Sequence, residues 1–221
     1  MTERLPIFPL RTVLFPGDLL PLHIFEPRYR LMVSRRADMS PCFGVVLTRS
    51  GNEVGDRPAT YDIGTSATNV EHVLLPDGRS NLLVKGARRF QILESDWDES
   101  YMQATVRWLD TDESPVPAEE TTEAMARVQF HLDRYLDAFS QGTGHEARFR
   151  VFGEDPVEFA YAVASSLPMP VESRQRLLEA SPPQELLSVL GETVRLETAL
   201  LIKTGAWAFL PGHPGTRFTS N

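Results

Sequence analysis

The side chains able to do chemistry are few and scattered. The five histidines, His23, His72, His131, His145 and His213, include no pair at i, i+3 or i+4, so no turn of helix offers two imidazoles to one metal ion. Cys42 stands alone, which excludes an internal disulfide and a cysteine-rich zinc site. Within the apolar run CFGVVLT it is expected as a small core residue rather than a reactive thiol. Lys85 and Lys203 are the only lysines, and a lysine base needs a hydroxyl nucleophile within hydrogen-bond reach. Lys203 has an ordinary role available at the C-terminal end of a predicted helix, where a cation offsets the dipole. No Gly-Lys-Ser or Gly-Lys-Thr occurs, so the loop that cradles nucleotide phosphates is missing from the sequence. Asp96, Asp98 and Glu99 cluster in DWDES and are expected as a solvated loop face rather than a metal site. His23, inside PLHIF, is expected as a half-buried strand histidine with a hydrogen bond. The expectation is a protein that is not an enzyme, with no catalytic residue, metal or cofactor.

One polar group stands out. Glu26, Arg28, Tyr29 and Arg30 open a predicted helix. A carboxylate there sits at the positive end of the dipole, and the arginines can solvate one face. Arginine and tyrosine are also the residue types that anchor interfaces, so these four are the candidate polypeptide-binding residues.

The elements that position these groups differ between the two halves of the chain. The first half is β-rich. Leu5–Leu10 is a short proline-flanked strand, Phe15-Pro16-Gly17-Asp18 a turn, and Leu19–Phe25 a second strand. Glu26-Pro27 starts a helix to about residue 39, with Tyr29, Met32 and Val33 on one face. Cys42–Thr48 is a buried-strand candidate and Ser50–Pro58 a loop. Tyr61–Leu75 is one long strand or two, ending at the hairpin turn Pro76-Asp77-Gly78. Asn81–Val84, Arg89–Leu93 and Tyr101–Leu109 complete six or seven strands, joined mostly locally, which points to a small barrel.

Composition changes at Asp110. DTDESPVPAEETTE is acidic and aperiodic, an expected linker over 111–122. Helices follow over 123–210. Met125, Val128, Leu132, Tyr135, Leu136 and Phe139 recur at threes and fours; Asp155-Pro156 caps a second helix; Val171–Ala180 is short; Ser181–Gln184 has capping-box spacing before a helix that ends near Gly205. Residues 211–221 are an expected flexible tail.

Charge and hydropathy exclude several partners. The 221-residue chain has a formal net charge of −8, and residues 1–110 hold 13 of its 22 Lys+Arg but only 14 of its 30 Asp+Glu. Clustered cations that would displace counterions from nucleic acid are missing. No apolar run approaches the roughly eighteen residues of a membrane span. Pro6 and Pro9 interrupt the N-terminal apolar stretch, so no signal peptide is read and the expected compartment is cytoplasmic.

Two motifs resemble one family. PLRTVLFPGDLLPLHIFEPRYRLM is similar to the opening of the Lon protease N-terminal, substrate-binding domain, and GTSATNVEHVLLPDGRSNLLVKGARRFQIL, residues 64–93, to its second signature. The resemblance covers roughly residues 4–205. It implies an α+β fold: a PUA-like β pseudo-barrel with one inserted helix over 1–110, followed by an α-helical bundle. It further implies a stand-alone, non-catalytic module that binds unfolded polypeptide or a protein partner such as a protease, without ATPase or protease domains. The Lon nucleophile is a serine paired with lysine, a role for which Lys85 and Lys203 are poor candidates. Arg88-Arg89-Phe90 could pair cations with a stacking ring on RNA, but as the strand-closing motif it places Phe90 in the core. Alternatives of other classes are a PUA-like RNA-binding protein and a small-molecule sensor in a barrel–bundle cleft. The oligomeric state is not readable from the sequence.

Overall fold

Gly86 is the point around which the sheet is organised. Its N–H donates to the Asp18 carbonyl (2.9 Å) and its carbonyl accepts from the Gly17 N–H (2.9 Å). A Cβ there would run into the Phe15 carbonyl oxygen, so only glycine lets the Phe15–Asp18 turn close onto the strand. The strand carrying Gly86 can therefore serve two neighbours along one edge.

The computed structural model describes residues 2–36, 38–39, 41–51, 57–109, 118–144 and 155–205. The N-terminal strands are β1 (Thr2–Leu10), β2 (Leu19–Ile24), β3 (Phe43–Ser50), β4 (Ala59–Leu74), β5 (Ser80–Asp96) and β6 (Gln103–Leu109), with α1 (Pro27–Arg36) between β2 and β3. The sheet order is β2-β5-β4-β3-β1-β6, and β6 also pairs with β5. Thus β1, β3, β4, β5 and β6 pair in a closed circuit, with β1–β3 the parallel contact. β5 gives one edge to β2 along Ser80–Lys85 and to β6 along Arg89–Asp96. Within the ring a full circuit leaves no open ladder, while beyond Ala67 β4 is paired with β5 alone. The architecture is α+β with a pseudo-barrel and one inserted helix, as the sequence predicts, although β5 is one continuous strand rather than two and β1 begins at Thr2.

Two apolar clusters fill this part. One joins Leu5, Ile7, Val46, Phe90, Met102, Ala104 and Val106 inside the ring. Phe90 lies fully buried against Gly44 and Gly64, whose missing side chains make room for its ring. The other joins Tyr29, Met32 and Val33 of α1 to Ile24, Leu82 and Val84, with Phe8, Phe43 and Cys42. α1 therefore covers the inner face of the β2–β5–β4 extension.

The helices that follow are α2 (Ala118–Thr143), α3 (Pro156–Ser166), α4 (Val171–Glu179) and α5 (Pro183–Thr204). The chain divides into two compact units, residues 1–111 with 170–179, and residues 112–169 with 180–221. The helical bundle expected over 123–210 thus loses one helix, α4, to the sheet unit. Polar anchors explain why. Arg89 Nη1 donates to the Leu178 carbonyl at the end of α4 (2.8 Å), and buried Gln175 donates to the Ile63 carbonyl of β4 (3.1 Å). Arg174 lies over the Phe15 ring (4.7 Å) and faces Asp18 (3.7 Å).

In the second unit, Val128, Leu132 and Tyr135 of α2 are buried with Phe159 and Val163 of α3 and Leu186, Leu190 and Val194 of α5. Asp155 caps α3 as predicted, accepting from the N–H groups of Val157 and Glu158. The capping box predicted at Ser181 is not made: the residue before α5 is Pro182, with no side-chain cap bond. Gly205 does close α5, at φ +79°. The α2 helix starts at Ala118, inside the expected linker; residues 110–117, most of the Ser50–Pro58 loop, His145, His213 and the 211–221 tail lie outside the described residues. No helix among the described residues is long and apolar enough to cross a membrane.

A candidate polypeptide-binding surface

The extension built from β2, the first part of β5 and the last part of β4 has two faces. Paired residues share a face, so Leu20, Leu22 and Ile24 sit over Val84, Leu82 and Ser80 and turn inward toward α1. Leu19, Pro21 and His23 sit over Lys85, Leu83 and Asn81 and turn outward, and β4 adds Thr68, Glu71 and Val73 to the same side. Leu19 is 58% exposed and Val73 44%; Phe25, stacked on His23 (centroids 6.2 Å apart), is 39% exposed. Apolar side chains thus run diagonally across an open three-stranded face, flanked by Lys85 and Glu71.

The open edge of β2 is blunted. The Gly86–Asp18 hydrogen bond sets the alternation of the ladder, so Leu20, Leu22 and Ile24 turn their backbone groups toward β5, and Leu19, Pro21 and His23 turn theirs outward. Pro21 lies at the middle of that edge and denies an incoming strand its donor. Contact with a partner along β2 runs through side chains.

At the hairpin tip a polar network sets the end of this face. Gly78 takes φ +81° in the turn, the Arg30 guanidinium lies against it, and Leu75 exchanges backbone bonds with Gly78 and Arg79. Asp77 pairs with Arg79 (2.7 Å), and the Arg79 backbone N–H and guanidinium hold the Asp77 carboxyl below the usual carboxylate range. Arg79 Nη1 reaches His23 Nε2 (3.3 Å), and His23 Nδ1 reaches Asn81 Oδ1 (2.7 Å). Arginine can only donate, so this geometry fits the tautomer with the proton on Nδ1. His23 is accordingly a half-buried strand histidine with hydrogen bonds, as predicted.

The four residues singled out from the sequence do not form one surface. Tyr29 is a correction: it is 2% exposed and packs on Phe8 (centroids 4.1 Å apart), inside the α1 cluster. Glu26 and Arg28 form an ion pair at 3.1 Å with each side chain 13% exposed, and Arg28 lies over the Tyr29 ring (4.6 Å) and near Trp97 (5.9 Å). That pair ties the start of α1 to its surroundings. Arg30 is the exposed member. The outward stripe of Leu19, Pro21, Phe25, Leu83 and Val73 was missed. Its signal lay in LLPLHIF, where a period of two splits one apolar run into two faces.

The other chemical candidates resolve into structure. Cys42 is buried, donates to the Ala67 carbonyl (3.0 Å), and burial pushes its thiol up to about 11. Asp96 pairs with Arg4 (2.7 Å) and Glu99 with Arg35 (3.3 Å). Arg88 lies over Trp108 (5.0 Å), Arg89 ends α4, and Phe90 fills the ring. His72 Nε2 contacts the Ser80 hydroxyl (3.0 Å), but no carboxylate among the described residues hydrogen-bonds its other nitrogen, so the orienting third member of a catalytic triad is missing. No metal-binding group of His, Cys, Asp and Glu occurs among the described residues.

Residues 4–194 match the family model of the ATP-dependent protease La (LON) substrate-binding domain. Lon protease 2 of Herpetosiphon aurantiacus is 32% identical over 206 residues, covering 90% of this chain and 24% of that protein. The Lon protease of Solibacter usitatus is 28% identical over 202 residues, 89% of this chain and 24% of that protein. The chain spans about a quarter of the length of these curated relatives. Its fold is similar to the crystal structure of a Lon N-terminal domain protein from Xanthomonas campestris (TM-score 0.57, 24% identity, 90% of this chain and 97% of that one). It is also similar to the N-terminal domain of Mycobacterium avium complex Lon protease (TM-score 0.60, 18% identity, 87% and 98%). With that family model matched over residues 4–194, most of its length, the chain belongs to the Lon substrate-binding domain family.

Proposed function

We propose that this chain is a non-catalytic recognition module that binds exposed apolar segments of unfolded polypeptide, or of a protein partner such as a protease, through the outward face of the β2–β5–β4 extension. The observation that carries the proposal is the diagonal of Leu19, Pro21, Phe25, Leu83 and Val73 on a three-stranded face whose opposite side is packed against the α1 cluster along β2 and β5. A soluble sheet ordinarily turns polar residues to its open side. Here both sides carry apolar residues, and contiguous exposed apolar surface marks interaction sites. Family membership supports the same class of ligand, since the family is named for substrate binding. Among the four residues at the start of α1, Arg30 is exposed beside Gly78 at the hairpin tip, whereas Glu26, Arg28 and Tyr29 hold the scaffold.

Leu19→Asn with Val73→Asn should weaken binding of a permanently unfolded polypeptide by about tenfold or more, because truncating central apolar anchors costs more than about 1 kcal/mol each. Isothermal titration calorimetry would measure it. Equal affinity for the double variant and the parent would sink the proposal.

A further inference from the structure

α2 and α5 run side by side in the same direction: Glu120 and Ala124 share one groove with Gln184 and Leu187, and Gly142 lies with Gly205 at the far end. The first of these grooves encloses about 580 Å³. Its floor is apolar and buried, made by Ala124, Val128, Leu187 and Gly191. Its rim carries Glu120, Glu123 and Glu192 against Arg127 and His131, and Arg127 is already shared with Glu123 (3.9 Å). Glu120 lies in the first turn of α2 and offsets the helix dipole. Glu123 and Glu192 lie beyond the first turns, where that explanation does not reach.

Gly191 is the informative residue. It stands in the interior of a 22-residue helix, where glycine is less favourable than alanine. It has no positive φ that would require it. Helix packing does not require it either, because an added Cβ would meet Val128 at 3.7 Å and His131 at 3.9 Å, both ordinary contacts. A costly glycine that neither the backbone nor the core needs leaves a depression in the floor of an acid-rimmed groove.

We infer that the α2–α5 groove is a second docking surface, which takes a cationic amphipathic polypeptide segment that seats one aliphatic side chain over Gly191 and sets Lys or Arg beside Glu123 and Glu192. The occupant follows from charge complementarity with this rim, in the half of the chain that carries most of the acidic excess. The surface is independent of the sheet face: none of its residues belongs to the sheet unit.

Two labelled peptides with the same leucine spacing, one Lys-rich and one Glu-rich, are titrated against the full chain by fluorescence anisotropy. The Lys-rich peptide should bind and weaken as salt rises, while the Glu-rich peptide should not bind. Gly191→Ala should raise the melting temperature and keep binding within a few-fold. Gly191→Leu should lose about tenfold or more in affinity, since it fills the depression. Glu123→Lys with Glu192→Lys, both at exposed positions, should abolish the preference for the cationic peptide. Equal binding of both peptides, no binding of the Lys-rich one, or unchanged affinity in Gly191→Leu and the charge-reversed variant would each overturn the inference. So would concentration-dependent self-association through this face, which would make a second copy the occupant. Leu19→Asn with Val73→Asn should leave this titration unchanged, which separates failure here from failure of the sheet-face proposal.

Discussion

β4 and β5 each pass through two environments. Between Ile63 and Ala67, and between Arg89 and Gln91, they belong to the closed ring, with a partner strand on either side and Phe90 inside. On the hairpin side of these stretches they extend with β2 into a three-stranded arm, where one side packs on α1 along β2 and β5 and the other is open. The same two strands are thus scaffold in one part and surface in the other. The switch is local: at Gly86 the outer neighbour of β5 changes from β6 to β2, and only a residue without Cβ fits under the Phe15 carbonyl. The contrast teaches that stability should concentrate in the ring and recognition in the arm.

The contrast can be broken first at Phe90. Phe90→Ala should destabilise the protein by about 3–5 kcal/mol, as expected for emptying a fully buried aromatic site. Urea unfolding would measure it, and a loss near zero would mean the ring is not the stable part. Next in size is Arg89→Ala. It removes a charged donor from the Leu178 carbonyl and should cost about 1.5–3 kcal/mol. The loss should show as faster amide exchange across 171–179, since this contact ties α4 to the sheet. Uniform exchange change over the whole chain would contradict a local role. Smaller again are Leu19→Asn and Val73→Asn, whose exposed positions should hold stability within about 0.5 kcal/mol of the parent.

The smallest effect lies in the second unit and depends on pH. Burial holds the Glu197 carboxyl above its usual range, and burial followed by the nearby Glu197 charge pushes the Tyr135 phenol up to about 12. The native state therefore binds the Glu197 proton more tightly than the unfolded chain does. Its contribution favours folding at low pH and is lost as pH rises from the ordinary carboxylate value through the raised one. Glu197→Gln should be slightly more stable than the parent at neutral pH, with the gain vanishing below the carboxylate range. Thermal melts across pH would show it, and a gain that persists in acid would contradict burial as the cause.

The sequence carried the ring and the arm unequally. The LPDG turn, the Phe15–Asp18 turn and the proline-led helix were legible because each rests on local backbone chemistry, whereas the role of Gly86 inside one continuous strand depends on a distant turn. The stripe of Val128, Leu132 and Tyr135 was legible by period. Membership of α4 in the sheet unit was not: Leu177 and Leu178 look like any bundle helix, and its anchors are carbonyls of Ile63 and partners near Asp18, known only once the chain is folded. Tyr29 shows a different failure. Its spacing with Met32 and Val33 marks an inward face, and here period outranks the interface-prone chemistry of the side chain. The arm's outer stripe was hidden because an unbroken apolar run does not say which of its two faces is covered.

Recognition by this chain is placed on the outer face of the arm. Its most direct test is calorimetric titration of a permanently unfolded polypeptide against the parent and the Leu19→Asn, Val73→Asn double variant, with unfolding midpoints measured on the same samples. The prediction is an affinity loss of about tenfold or more with an unchanged midpoint. Undiminished affinity at an unchanged midpoint would contradict it.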